Sequence, residues 1–421
     1  MHSSRARRAA LMASLLLPAC VAVAAPARGE DWPRFRGANG AGVVAGRFAG
    51  TVSAKDVAWT ADLPGKGHGS PVVWKGRVYL TSADPEEGKR YVVCLSAADG
   101  SVVWRKEYDF AKYRQHADNS YSSASPAVDD AGVYVAWSTP AHYTAFALGH
   151  DGAERWSHDL GGFQSVQGQG ASPVVVGDAV VVANDQEGPK SSLVAFDRRT
   201  GAALWTVERK SCDKASMSTP VVYRPPGGGG PQVVFTSKAA GMTAVDAATG
   251  QVAWEVSDAF NARTVGSPVL AGDLIVGACG EGGAQRDLAA VRPPAAPGAE
   301  AKIEYAVKRV APYVPTPLVV GPRAYLWGDA GVLTCVDAAT GAEAWSRKVG
   351  GMYYGSPVCV GDTLWCLSRK GDLIGASATD KDAPLAKLSL GDPSHATPAV
   401  ADGKMYLRTV SKLTCVTLRP G

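Results

Sequence analysis

Few residues in this chain have the type and spacing for chemistry. His68 and His395 lie far apart in sequence, so a two-histidine metal site needs the fold to join them; an ordinary polar pair is the plainer reading. The run Asn184-Asp185-Gln186-Glu187 offers hard oxygen ligands of the kind Ca²⁺ takes, against the plainer reading of a solvated loop. The eight cysteines include no adjacent pair, no CxxC and no CxxCH, so no redox motif or c-type haem attachment is written here. No GxSxG, HExxH or phosphate-binding motif occurs, and Gly227-Gly228-Gly229-Gly230, with no helix pattern after it, reads as a hairpin loop. No catalytic, cofactor-binding or metal-ligating residue is assigned on these grounds.

The elements that must position any site come from a repeat. A Ser/Thr-Pro step followed by a short apolar run occurs eight times, at Pro71, Pro126, Pro173, Pro220, Pro268, Pro317, Pro357 and Pro398, with a mean period of about 47 residues. A hairpin follows each, clearest in Val72 to Leu80 around Lys75-Gly76. Three units close on Asp-x-x-Thr-Gly-x-x-x-Trp, at Asp197 to Trp205, Asp246 to Trp254 and Asp337 to Trp345, and the Gly-to-Trp spacing also holds in Gly100/Trp104 and Gly152/Trp156. Asp and Thr hold a tight turn through side-chain hydrogen bonds. Gly supplies a positive φ, and Trp buries a large ring between units.

Short antiparallel strands at even spacing predict an all-β fold, an eight-bladed β-propeller of four-stranded blades. The docking aromatics are Trp59, Trp104, Trp156, Trp205, Trp254, Tyr305 and Trp345, with a seventh blade that lacks one. The chain ends after a third strand, while Trp59 has no three strands before it, so the N-terminal strand is expected to complete the C-terminal blade. Such closure removes exposed edges. In blade five Pro293-Pro294-Ala295-Ala296-Pro297 replaces the usual turn. Cys94, Cys335 and Cys415 occupy equivalent strand positions and read as small buried hydrophobes.

The first residues read as a targeting segment. Arg5, Arg7 and Arg8 precede an apolar stretch from Leu11 to Val23, then small residues at Ala22 to Ala27. The expected organisation is a signal peptide over 1–24 (cleavage as late as 29), an N-terminal extension over 25–54 and a single propeller over 55–421. Leu17-Pro18-Ala19-Cys20 is an alternative lipid-anchoring box that Pro18 disfavours, and Arg7-Arg8 an alternative twin-arginine signal. Loss of the three arginines takes the formal +4 to about +1, and no basic run remains to bind nucleic acid or an anionic membrane. No later stretch approaches a membrane span. The mature chain is expected to be periplasmic or secreted.

Inner strands of a propeller line its channel, so residues just before each Ser/Thr-Pro are expected at one mouth. The candidate binding set is His68, Tyr121, Gln169, Arg263, Tyr313, Tyr353, Tyr354 and His395. Tyr and Arg favour recognition surfaces; the plainer reading is that these groups fill the channel entrance. Two loops, Ala83 to Arg90 and Lys106 to Ser120, add surface.

The eleven-residue units resemble the tryptophan-docking repeats of pyrroloquinoline-quinone dehydrogenases and of their non-enzymatic relatives, among them the periplasmic lipoprotein of the outer-membrane assembly machinery. The resemblance covers about residues 55 to 418. Asp31-Trp32-Pro33-Arg34-Phe35-Arg36-Gly37, Asn119 to Ser123, Pro312 to Pro317 and Tyr406-Leu407-Arg408 resemble segments of exported quinoprotein-like repeat proteins. For the enzymes the resemblance implies a vicinal disulfide over the quinone, a calcium and a catalytic Asp, and this chain lacks the vicinal cysteines. The expectation is therefore a monomeric cell-envelope propeller that binds a protein or glycan partner without catalysis and with no cofactor. A dehydrogenase of alcohols or sugars using pyrroloquinoline quinone and Ca²⁺ is the alternative; a small-ligand sensor is a third reading.

Overall fold

The computed structural model describes residues 31–282, 286–296 and 299–421; the expected signal peptide, Cys20 included, lies outside them. Eight antiparallel sheets form the eight-bladed propeller that the repeat predicts. Blade one is typical, with strands Val72–Trp74, Arg77–Asp84, Lys89–Ser96 and Val102–Asp109 running from axis to rim. The last blade takes its outer strand from the N-terminal side: Val57–Asp62 pairs with Lys412–Thr417, with Trp59 opposite Cys415. The core lies between blade faces, as where Val180 and Phe196 of blade three pack on Tyr134 and Ala145 of blade two.

The closing turns explain both the Gly and the Trp of the repeat. Asp197 Oδ1 accepts from the backbone N–H and the hydroxyl of Thr200, and Asp246 and Asp337 hold Thr249 and Thr340 in the same way. Gly201 has φ 75° and lies so close to Trp156 of the preceding blade that a Cβ there would fall 2.5 Å from the indole. The Trp156 indole N–H then donates to Arg198 O at 3.2 Å. Trp59, Trp104 and Trp205 dock on the next blade in the same manner, and Tyr305 does so through its hydroxyl on Ala338 O. Blade five lacks the turn, and Trp254 instead bonds Gln232 of its own blade. Six of the seven described cysteines are buried and all seven are free, and Cys94, Cys335 and Cys415 each sit opposite a docking Trp.

The Ser/Thr-Pro step has its own physical reason. The N–H of each Ser or Thr donates to the hydroxyl oxygen of its counterpart in the next blade at 2.9–3.1 Å, from Ser70 to Ser125 and so round to Thr397, which returns to Ser70. These eight bonds form a closed belt around the channel. The proline that follows has no N–H to orphan at the point where the strand turns outward.

The segment expected as an N-terminal extension contributes more than an approach to the closing strand. Val43–Val44 adds a fifth, parallel strand to blade seven, and Trp32 pairs with Val73 of blade one. Between them, Arg34 donates to Pro220 O, and Arg36 donates to Pro317 O and Pro357 O. Residues 31–44 thus cross the base of the channel and plug it. Burial without a carboxylate partner pushes the Arg36 guanidinium down to about 9 and Arg34 to about 10.

Candidate functional site

The other end of the channel opens into a chamber of about 340 Å³. Its floor is Phe35 of the plug, its wall is the hydroxyl belt, and its rim carries His68, His116, Asp118, Tyr313, Tyr354 and His395. The hydroxyls of the belt accept from backbone, and among the described residues none donates to a protein acceptor, so their protons are available to the chamber.

A strap closes part of the mouth. The stretch between Asp109 and Ala127, which joins blades one and two, reaches back over the neighbouring blade eight to blade seven. Its root is an aromatic knot: Tyr121 packs on Phe110 and Tyr113, the Tyr121 hydroxyl donates to Tyr113 O, and Tyr113 donates to Ser138 O. Its tip reaches blades seven and eight. Asp118 meets Arg369 at 2.5 Å, accepts from the Tyr354 hydroxyl at 3.2 Å, and lies with its carbonyl 3.2 Å from His395 Nδ1. Arg369 also stacks over the Tyr354 ring at 4.5 Å. The ion pair is about one-third exposed on both sides, the class of contact worth at most about 1 kcal/mol.

Beneath the strap, ring closure joins the two histidines. The His68 and His395 rings lie 4.1 Å apart between centres. Burial, then the neighbouring His395 and Arg408, lower His68 to about 3; burial and Arg369 lower His395. Both imidazoles are therefore neutral at physiological pH. His68 Nδ1 is buried without a partner among the described residues. Behind it Arg408 is fully buried, donating to Gly69 O and Thr81 O.

Of the eight candidate residues, the fold brings four to this chamber: His68, Tyr313, Tyr354 and His395. Tyr121 belongs to the strap's knot. Gln169 is buried and donates to Ala171 O of its own segment. Arg263 is buried on Glu187 at 3.1 Å. Tyr353, expected at the mouth, is 1% exposed and packs edge-on against Trp327 in the core. Adjacent strand residues face opposite ways, so Tyr353 and Tyr354 cannot share the mouth. Arg369, Asp118 and His116 were not singled out as mouth residues. The strap is legible as the loop Lys106 to Ser120, but nothing local marks its landing site.

The acid–amide run is a correction to the solvated loop expected. Asn184, Asp185 and Gln186 are buried. Asp185 faces Arg209 at 3.4 Å, Gln186 bonds Asn184 and Gln164, and Glu187 is taken by Arg263. Among the described residues no group of three or more His, Cys, Asp or Glu is placed to hold a metal ion. A quinone with its calcium does not fit the chamber residues. Among the described residues its lining holds one carboxylate, Asp118, which Arg369 and Tyr354 occupy, and no cysteine.

The family described as outer membrane protein assembly factor BamB matches residues 88–297, 299–383 and 329–419. A BamB from Alkalilimnicola ehrlichii is 28% identical over 144 residues, which are 34% of this chain and 33% of that relative. The matched stretch thus spans about one third of the curated relative's length. Among solved structures, BamB from Moraxella catarrhalis aligns at TM-score 0.57 and 13% identity, covering 85% of this chain and 97% of that one. The quinohemoprotein alcohol dehydrogenase from Comamonas testosteroni aligns at TM-score 0.56 and 13% identity, covering 92% and 80%. At such identities these two likenesses concern the fold alone.

Proposed function

Since the chain belongs to the family of outer membrane protein assembly factor BamB, we propose that it is an exported, non-catalytic propeller that holds an envelope protein at its channel mouth. It acts as a monomer in the periplasm or outside the cell, with cleavage after the small residues following Val23 and no lipid on Cys20. The observation that supports this reading most is the make-up of the mouth. Tyr313, Tyr354, His395 and Arg369 stand half-buried around a chamber, and an exchangeable side-chain latch spans it. Aromatic and arginine groups anchored on a rigid frame are the usual source of binding energy in protein recognition.

A photo-cross-linking residue at Tyr354 or Tyr313, introduced in the exported protein in cells, tests it. The expected result is one dominant envelope protein adduct, lost when the other tyrosine is changed to Ala, with the melting temperature kept. Adducts to glycan only, or none at either position, sink the reading. Tyr353 stays unchanged in this experiment, because its burial makes loss of folding the first consequence of removing it.

A further inference from the structure

We infer that the base of the channel carries a docking groove for an extended, apolar polypeptide segment of a partner protein, which pairs its backbone with the open inner edges of blades three and five. The groove measures about 780 Å³ and lies between the plug and the inner strands of blades two to five.

The case rests on one repeated backbone position. In each blade the second residue after the Ser/Thr-Pro proline turns its N–H and C=O toward the axis, because antiparallel residues alternate in which edge they bond. In blade one this is Val73, which exchanges two bonds of 2.8 Å with Trp32. In blade two Val128 donates to Pro33 O at 2.7 Å, and in blade seven Cys359 donates to Gly42 O at 2.7 Å. In blade four no peptide is near, and the Asn39 side chain takes its place, accepting from Val222 N–H at 2.9 Å and donating to Val222 O at 2.7 Å. Every one of these four positions is met by a peptide or an amide from the plug.

The equivalent residues of blades three and five are Val175 and Leu270. Their strands hold the same register, with Val175 opposite Val180 and Leu270 opposite Ile275, as Val73 is opposite Val78. Among the described residues, the inward N–H and C=O of neither has a hydrogen-bond partner; Val319 and Val400 of blades six and eight are open likewise, but only Val175 and Leu270 line the groove. An open strand edge is a template for another strand, and a segment that adds to it gains affinity from backbone bonds and selectivity from side-chain pockets. Those pockets are apolar here: Val128, Val175, Val222 and Leu270 face the space, flanked by Trp74 and Tyr223. Of the charged groups around it, Asp129 is engaged by Arg198 and Arg34 by Pro220 O, while Asp273, Arg292 and Arg224 stand at the outer end. An extended apolar segment therefore suits the stretch between Val128 and Leu270.

The test uses the full exported chain and the peptide acetyl-Lys-Thr-Val-Thr-Val-Thr-Val-Lys-amide, with hydrogen exchange resolved to single amides. The expected result is exchange at Val175 and Leu270 slowed about tenfold, the effect of one added hydrogen bond, and no slowing by the same peptide N-methylated along its backbone. Val175→Pro with Leu270→Pro removes both donors at edge positions that tolerate proline and is expected to abolish binding of the same peptide carrying a fluorescent label, read by anisotropy, with the melting temperature kept. If that double variant unfolds, the comparison of the two peptides on the unaltered protein decides. Equal effects of both peptides, protection confined to the mouth, or slow exchange at these amides already in the free protein overturns the inference. The last outcome means that the chain's own residues before Asp31 fill the groove.

Discussion

At the base of the channel, closure rests on backbone and buried groups: Trp32 pairs with Val73, Val43–Val44 extends a sheet, and Arg36 spans two proline carbonyls. At the mouth it rests on side chains that stay partly wet, with Asp118 on Arg369 and Tyr354 beneath. The two ends share the same eight-fold frame but differ in what it costs to open them. A plug built from backbone bonds and a buried indole opens only with loss of structure. A strap whose tip is held by a surface ion pair can lift that tip at little cost.

The contrast is broken most directly by comparing one residue from each end. Trp32→Ala is expected to lower stability by about 3–5 kcal/mol, the range for truncating a buried aromatic, whereas Tyr354→Ala at the half-buried mouth should cost far less. Urea unfolding of both measures the difference, and equal losses erase it. A middle-sized effect comes from the histidine pair. His68 is held near 3 in the fold against an ordinary 6.5, so the unfolded chain binds the extra proton. Stability is then full above about 6.5 and falls as pH drops toward 3, by up to about 1.4 kcal/mol per pH unit from this residue. Unfolding midpoints at pH 7, 6 and 5 should decline, and His68→Gln should flatten that decline. The smallest effect belongs to the latch. Asp118→Asn should change stability by less than about 1 kcal/mol, yet raise protease cleavage within residues 110–126. Unchanged cleavage would mean that the knot at Tyr113 and Tyr121, with the bonds of Asn119 to Gln167 O and of Ser122 O to blade one, holds the strap without the latch.

Half of the candidate site was legible before the fold. His68, Tyr313, Tyr354 and His395 stand at repeat-defined positions, and the repeat carries them to the mouth. Tyr353 failed because a one-residue step along a strand reverses the side chain, and the pattern could not say which of two adjacent tyrosines faces in. Gln169 folds back onto Ala171 O of its own segment and Arg263 reaches across to Glu187, which position alone does not reveal. Phe35, at the chamber floor, was quoted only for its resemblance to other exported proteins.

Blade number, ring closure and the docking aromatics were determined by the sequence alone: eight Ser/Thr-Pro steps count the blades, each aromatic lies at a fixed offset from its turn, and the strand of Trp59 supplies what the last unit lacks. Spacing is local information, and eight repetitions make it redundant. The two segments that finish the channel do not repeat. Asn39 meets Val222 at a separation of 183 residues, and Asp118 meets Arg369 at 251. Contacts over such distances exist only once the ring has closed, so the plug, the strap and the unequal ends were decided by the tertiary structure.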